Sequence, residues 1–267
     1  MVYGKAEARN HDITLITSLP QNTTEEGNSG IDQLYFKVLE HAFCDIHAND
    51  IQFYSNLRSL LGTILLVFNP LSIKGLSELL KRCHVAPYIL STMRSLHSLL
   101  LVPDSAEDLI LTIHKSFPNF LTDPERCKDT RFFTEPTVHH TEILLSCLHL
   151  IKKRLKKNIC GLDDHVILSE IEDLPIHQRD CIGDALEYAC CFWTKHLLRI
   201  PVSAPDVEEV QKAIDEFFTM CLLFWIEVLS LLGNLNAGIH SLNNIQQWYM
   251  LASQCKCRLD KPMLIFH

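Results

Sequence analysis

The strongest constraint on this chain is the spacing of its apolar residues. Over most of the length they recur every three or four positions, the period of an amphipathic α-helix. Ile31, Leu34, Tyr35, Val38, Leu39 and Ala42 form one such stripe over 31–43. The polar stretch 21–30 before it reads as a linker or loop. Residues 50–68 are apolar on most sides and stop at Asn69-Pro70, because proline disfavours helix in the residue before it. A short helix is expected over 71–80, with Ser72 as its N-cap. Another is expected over 87–99, where Ile89, Leu90, Met93 and Leu96 keep the period. The pattern then changes. Leu99–Val102 and Leu109–His114 are β-like runs on either side of the acidic turn Pro103–Asp108. Three helices and then a two-stranded hairpin is the order of a winged helix.

Helical spacing returns after Pro124. A long helix is expected over 137–157, ending in Lys152, Lys153, Arg154, Lys156 and Lys157, where the helix macrodipole favours cations. The same basic cluster has the composition of a nuclear address, but it reads as a solvated helix end, which dipole complementarity explains without a receptor. A helix over 175–198 follows, then a capped start at Ser203–Asp206. The helix it opens runs through Leu232 with a kink, and 239–252 is the last. The expected fold is mainly α: a winged helix (three helices plus a short two-stranded wing) over 49–122, then an α-helical domain over 123–255. Residues 1–48 are expected to be a disordered lead-in and the end of a preceding helical domain, and 256–267 an irregular tail. No repeat with a period of about 20–50 residues is present, so a solenoid is not encoded.

Only 9 of the 267 residues are glycine. No G-x-x-x-x-G-K-[ST] phosphate loop, G-x-G-x-x-G turn, G-x-S-x-G elbow or H-E-x-x-H pair occurs. The net charge of −8 gives no electrostatic reason to bind nucleic acid. Within 49–122 the six bases Arg58, Lys74, Lys81, Arg82, Arg94 and Lys115 face five acids. The recognition-helix position carries only Arg94, so the module reads as a protein-packing unit. A standalone winged-helix nucleic-acid-binding protein is the alternative.

The 11 cysteines are odd in number and contain no C-x-x-C, so reduced thiols and a cytoplasmic setting are expected. Met1–Asn10 has no apolar core of a signal peptide. The longest apolar run, Phe217–Leu232, is short for a membrane span and holds Glu227. No membrane association is expected. His139-His140 and Cys190-Cys191 are neighbours that a helix turns about 100° apart, so neither pair reads as a metal site. Cys255 and Cys257 have no second ligand pair. A Cys/His nucleophile has no local signature, so no catalytic residue is assigned and no enzyme activity is expected.

Several stretches, taken in order, resemble fungal NACHT-type NTPases of the STAND class. These are large NOD-like receptors of mushroom-forming fungi, many with WD repeats. The stretches are LLGTILLVFNPLSI at 60–73, LHSLLLVP at 96–103, IHKSFPNFLTDPERC at 113–127 and HHTE at 139–142. They continue with KNIC at 157–160, EIEDL at 170–174, ALEYAC at 185–190 and LFWIEVLSLLG at 223–233. The likeness covers about residues 31–250. It implies a middle region of such a receptor, because the family's nucleotide domain lies before the matched part and its repeats after. The resemblance further implies that ADP and ATP act as cofactors only where an NTPase domain completes the site. Partners would be proteins, namely that NTPase core or a related receptor in trans. The family's winged helix offers a histidine to the ADP phosphate, and His114 stands at the matching position. Without an NTPase domain, His114 reads instead as a residue closing the strand-to-helix junction by its own hydrogen bonds. Pro118 and Asn119 depart from the more polar or acidic residues usual there.

Overall fold

The computed structural model describes residues 25–83, 89–163 and 174–259. Among these the chain forms eleven helices and one two-stranded sheet, a mainly α fold. The helices are α1 (Glu25–Ala42), α2 (Ile51–Leu66), α3 (Ile73–Leu79), α4 (Ile89–Ser95), α5 (Ser116–Thr122) and α6 (Pro136–Arg154). They continue as α7 (Leu174–Cys181), α8 (Gly183–Leu197), α9 (Val207–Met220), α10 (Leu222–Leu231) and α11 (Leu235–Leu259). The strands β1 (Leu100–Leu101) and β2 (Leu111–Thr112) lie between α4 and α5 and pair antiparallel, Leu101 opposite Leu111. An isolated antiparallel bridge joins Ser72 to Leu109.

Local chemistry sets the boundaries. Asp50 caps α2 by accepting from the Phe53 N–H at 2.9 Å. Ser72 caps α3 as its sequence position predicts, accepting from the Gly75 N–H at 2.9 Å. Pro136 opens α6, where a missing N–H costs nothing. The single helix expected over 175–198 is two. Gly183 has φ +72°, a left-handed conformation that ends α7 and that glycine adopts at least cost. The kink expected before Leu232 lies at Cys221, between α9 and α10. Asp206 stands at the N-cap of α9, but its side chain makes no capping bond. α1 starts at Glu25, inside the stretch expected to be a linker, and α11 runs to Leu259, into the expected tail. Residues 1–24, the start of the 87–99 helix, most of the EIEDL stretch and the end of the tail lie outside the described residues.

Two apolar cores are built on these helices. The larger is centred on α6 and α8, which pack side by side, with α2 and α9 against α6, and α3, α10 and α11 against α8. Trp193, Trp225, Ile151 and Leu186 are almost fully buried in it. The smaller joins α1, α2, the turn after α4, β1 and α5 through Tyr35, Leu39, Tyr54, Leu61, Leu96, Phe117 and Phe132. α2 serves both, presenting Leu60 to the larger core and Leu57 and Leu61 to the smaller. Packing therefore runs across residue 122: α3 touches α8 so closely that Gly75 abuts the Asp184 carboxylate. No helix among the described residues is long and apolar enough to cross a membrane. Glu227, within the apolar run, accepts from the N–H groups of Asn158 and Ile159, each at 3.1 Å.

Candidate functional site

His114 stands where β2 ends and α5 is about to begin. The strand is held on one side by Ile113 N–H donating to Leu99 C=O at 3.0 Å. The helix starts with Phe117 N–H donating to His114 C=O at 3.2 Å. The imidazole folds back on its own chain: the Ser116 N–H donates to Nδ1 at 3.1 Å. Nδ1 is therefore an acceptor, and a neutral ring carries its proton on Nε2. Ser116 Oγ lies 2.7 Å from Nδ1 and 2.6 Å from the Tyr35 hydroxyl. The Tyr35 hydroxyl also lies 3.3 Å from Nδ1. Tyr35 reaches this place from α1 because its ring packs between Phe117 and Phe120, at centroid distances of 5.3 and 5.6 Å. Burial pushes its phenol above the usual range, so it stays a donor.

The strand leading to His114 presents an unusual surface. Side chains on a strand alternate between faces. Leu100 and Ile110 turn into the protein, whereas Leu101, Leu109, Leu111 and Ile113 are between 41 and 57% exposed. Leu101 and Leu111 are cross-strand partners, so the four form one outward aliphatic face. The acidic turn beside it carries an exposed pair, Lys74 with Glu107 at 2.9 Å. Arg82 is paired with Glu209 at 2.7 Å. Two of the bases in the region are thus already matched to carboxylates.

The other sequence candidates fall elsewhere. His139 and His140, near the start of α6, are buried. His139 Nδ1 meets Glu142 Oε2 at 3.0 Å, and His140 Nδ1 meets His196 Nδ1 at 2.8 Å. Cys190 is buried and Cys191 partly so. The described residues contain no group of three or more His, Cys, Asp or Glu that could hold a metal. The basic end of α6 is more engaged than a solvated helix end. Arg154 pairs with Glu78, and Lys152 with Glu216 at 2.8 Å. A cleft of about 230 Å³ between α6 and α9 is lined by Arg82, His149, Lys152, Glu209, Lys212 and Glu216, with bases and acids interleaved.

Tyr35 and Ser116 escaped the sequence reading. The His-Lys-Ser spacing at a strand end was the only local sign of a ring held by the following serine. Nothing in the sequence pointed to Tyr35, which lies 79 residues from His114. No family model matches this sequence, and no curated protein or solved structure is significantly similar to it.

Proposed function

We propose that this chain is a non-catalytic regulatory and interaction segment of a NACHT-type (STAND) receptor-like protein. In this reading α2, α3, α4 and the β1–β2 hairpin are a winged helix, with the Ser72–Leu109 bridge as its first strand pairing. The observation that carries the reading is the aliphatic outer face of the hairpin, which ends at the exposed imidazole of His114. Uncovered aliphatic surface of this kind suits a protein partner better than a phosphate backbone. The partner would be an NTPase core or a related receptor in trans. The fixed Nδ1 of His114 leaves its Nε2–H to donate to the phosphate of ADP held by that core. His114 is then both junction and sensor, one nitrogen for each task.

Calorimetry tests the reading. The full chain alone is expected to bind neither ADP nor ATP and to release no phosphate. Mixed with a NACHT-type NTPase domain, it is expected to tighten ADP binding. His114→Ala should weaken that by about tenfold, the effect of one hydrogen bond to a charged group. Nucleotide turnover by the chain alone, or duplex-DNA binding that falls steeply with salt, would overturn it.

A further inference from the structure

A groove runs between α1 and the loop that follows α5. Asp32, Phe36 and Glu40 stand about one helical turn apart on α1, with Gln33 and Lys37 beside them. Phe120, from α5, and residues 125–129 of the loop form the opposite wall. The space is about 880 Å³, within the roughly 300–1,000 Å³ of sites that take small organic ligands. It shares no residue with the His114 junction or the hairpin face.

The loop wall is already built. The Asp123 carbonyl accepts from the Arg126 and Cys127 N–H groups at 3.1 and 2.8 Å. The Asp123 carboxylate accepts from the Glu125 N–H at 2.9 Å. Arg58 donates to the Thr130 carbonyl at 3.0 Å and holds the far end of the loop. Phe36 packs edge-on against Phe132, centroids 6.3 Å apart. A ligand entering here does not have to order the site, which spares it that entropy.

The charges on the walls are unequally committed. Arg126 gives Nε and Nη2 to the two oxygens of Asp32, at 3.0 and 2.5 Å. Arg131, just past the loop, holds Asp129 at 2.7 Å and Glu40 at 3.5 Å. Three of the four wall carboxylates are thus neutralised in place, and the fourth, Glu125, is exposed. Among the described residues Lys37 and Lys128 make no ion pair, and both are exposed. A guanidinium has five N–H donors, so Arg126 keeps its Nη1 edge beyond the pair with Asp32. Cys127 adds no charge, because burial pushes its thiol up to about 11. Unmatched positive charge therefore lines the same groove as the rings of Phe36 and Phe120.

We infer that this groove is a binding site for a small organic acid, a carboxylate or sulfonate carried on an aromatic body. The anionic head accepts from Lys37, Lys128 and the unused edge of Arg126. The aromatic body lies against Phe36 and Phe120. The Arg126–Asp32 pair stays intact, because its own two N–H donors are not needed by the ligand. An inorganic anion gains nothing from the aromatic walls and is held far less well.

The test is calorimetric titration of the full chain with 2-naphthoate at pH 7 and low salt, where charge is least screened. One site is expected, with a Kd on the order of 100 μM for a ligand of this size. The neutral analogue 2-naphthylmethanol should bind about tenfold more weakly, the loss of one charge-assisted hydrogen bond. A Lys37→Gln, Lys128→Gln double variant should weaken naphthoate binding by about tenfold as well. Gln33→Trp, whose indole fills the groove, should abolish it. These three side chains are exposed, so the variants keep the fold. The inference is overturned if millimolar naphthoate gives no saturable heat or if the neutral alcohol binds as tightly. It is equally overturned if either variant binds like wild type, because the ligand then sits elsewhere.

Discussion

His140 and His196 share a hydrogen bond inside the larger core, their Nδ1 atoms 2.8 Å apart. The surrounding groups assign its proton. The Phe68 N–H donates to the Tyr188 oxygen at 3.2 Å, so the Tyr188 O–H is free to donate to His196 Nε2 at 2.7 Å. His196 then carries its own proton on Nδ1 and donates it to His140. Both rings are neutral. Burial pushes His140 down to about 4, with the Arg199 and His139 charges adding to the effect, and pushes His196 down to about 3.

This pair is expected to make the fold acid-sensitive. A histidine in the unfolded chain titrates near pH 6.5. Below that pH the unfolded state binds protons that the native pair refuses until about pH 4 and about pH 3. The contribution to stability is therefore whole above pH 6.5 and is lost as pH falls through 6.5 towards those lower values. The loss is on the order of a few kcal/mol. Urea unfolding at pH 7, 5.5 and 4.5 should show a falling midpoint. A His140→Leu, His196→Leu double variant should start less stable at pH 7 and fall less. An equal slope in both proteins would place the acid sensitivity elsewhere.

The contact between α3 and α8 has no room for a side chain at Gly75. The Asp184 carboxylate that occupies the space accepts from Ser72 Oγ at 2.5 Å and Ser72 N–H at 3.2 Å. A methyl group at Gly75 would gain about 1 kcal/mol of helix propensity. It would also displace the carboxylate and break those bonds, costing about 2–4 kcal/mol. Gly75→Ala is thus expected to destabilise by about 1–3 kcal/mol in urea titration. Asp184→Asn, which keeps an oxygen acceptor, should cost less. A Gly75→Ala variant as stable as wild type would contradict the close approach.

Trp193 and Trp225 are both almost fully buried, but only one of their N–H groups is satisfied. Trp225 Nε1 donates to Cys190 C=O at 2.9 Å, whereas Trp193 Nε1 has no hydrogen-bond partner among the described residues. Replacement by phenylalanine leaves a cavity at either site, at a cost of about 1–3 kcal/mol. At Trp225 it also deletes a hydrogen bond worth about 1 kcal/mol. At Trp193 it removes an unpaired buried donor, which offsets part of the cavity cost. Trp193→Phe should therefore unfold at higher denaturant than Trp225→Phe, and the reverse order would sink the assignment.

The helical period, the Ser72 cap, the hairpin between 99 and 114 and the break before Leu232 were all legible in the sequence. Each depends on residues within a few positions of one another. Gly183 was not legible as a break, because a single glycine inside a helical pattern is tolerated and its positive φ, which marks the interruption, is not written in the sequence. Sequence by itself determined that these segments are helices and which face of each is apolar. It also supplied the resemblance that singled out His114. Only the tertiary structure decided which faces meet. Tyr35 reaches His114 across 79 residues, and His140 reaches His196 across 56, because α1 packs on α5 and α6 on α8. Periodicity reports that a face is buried but carries no information about its partner. Polar groups inside those faces are therefore matched only once the helices have packed.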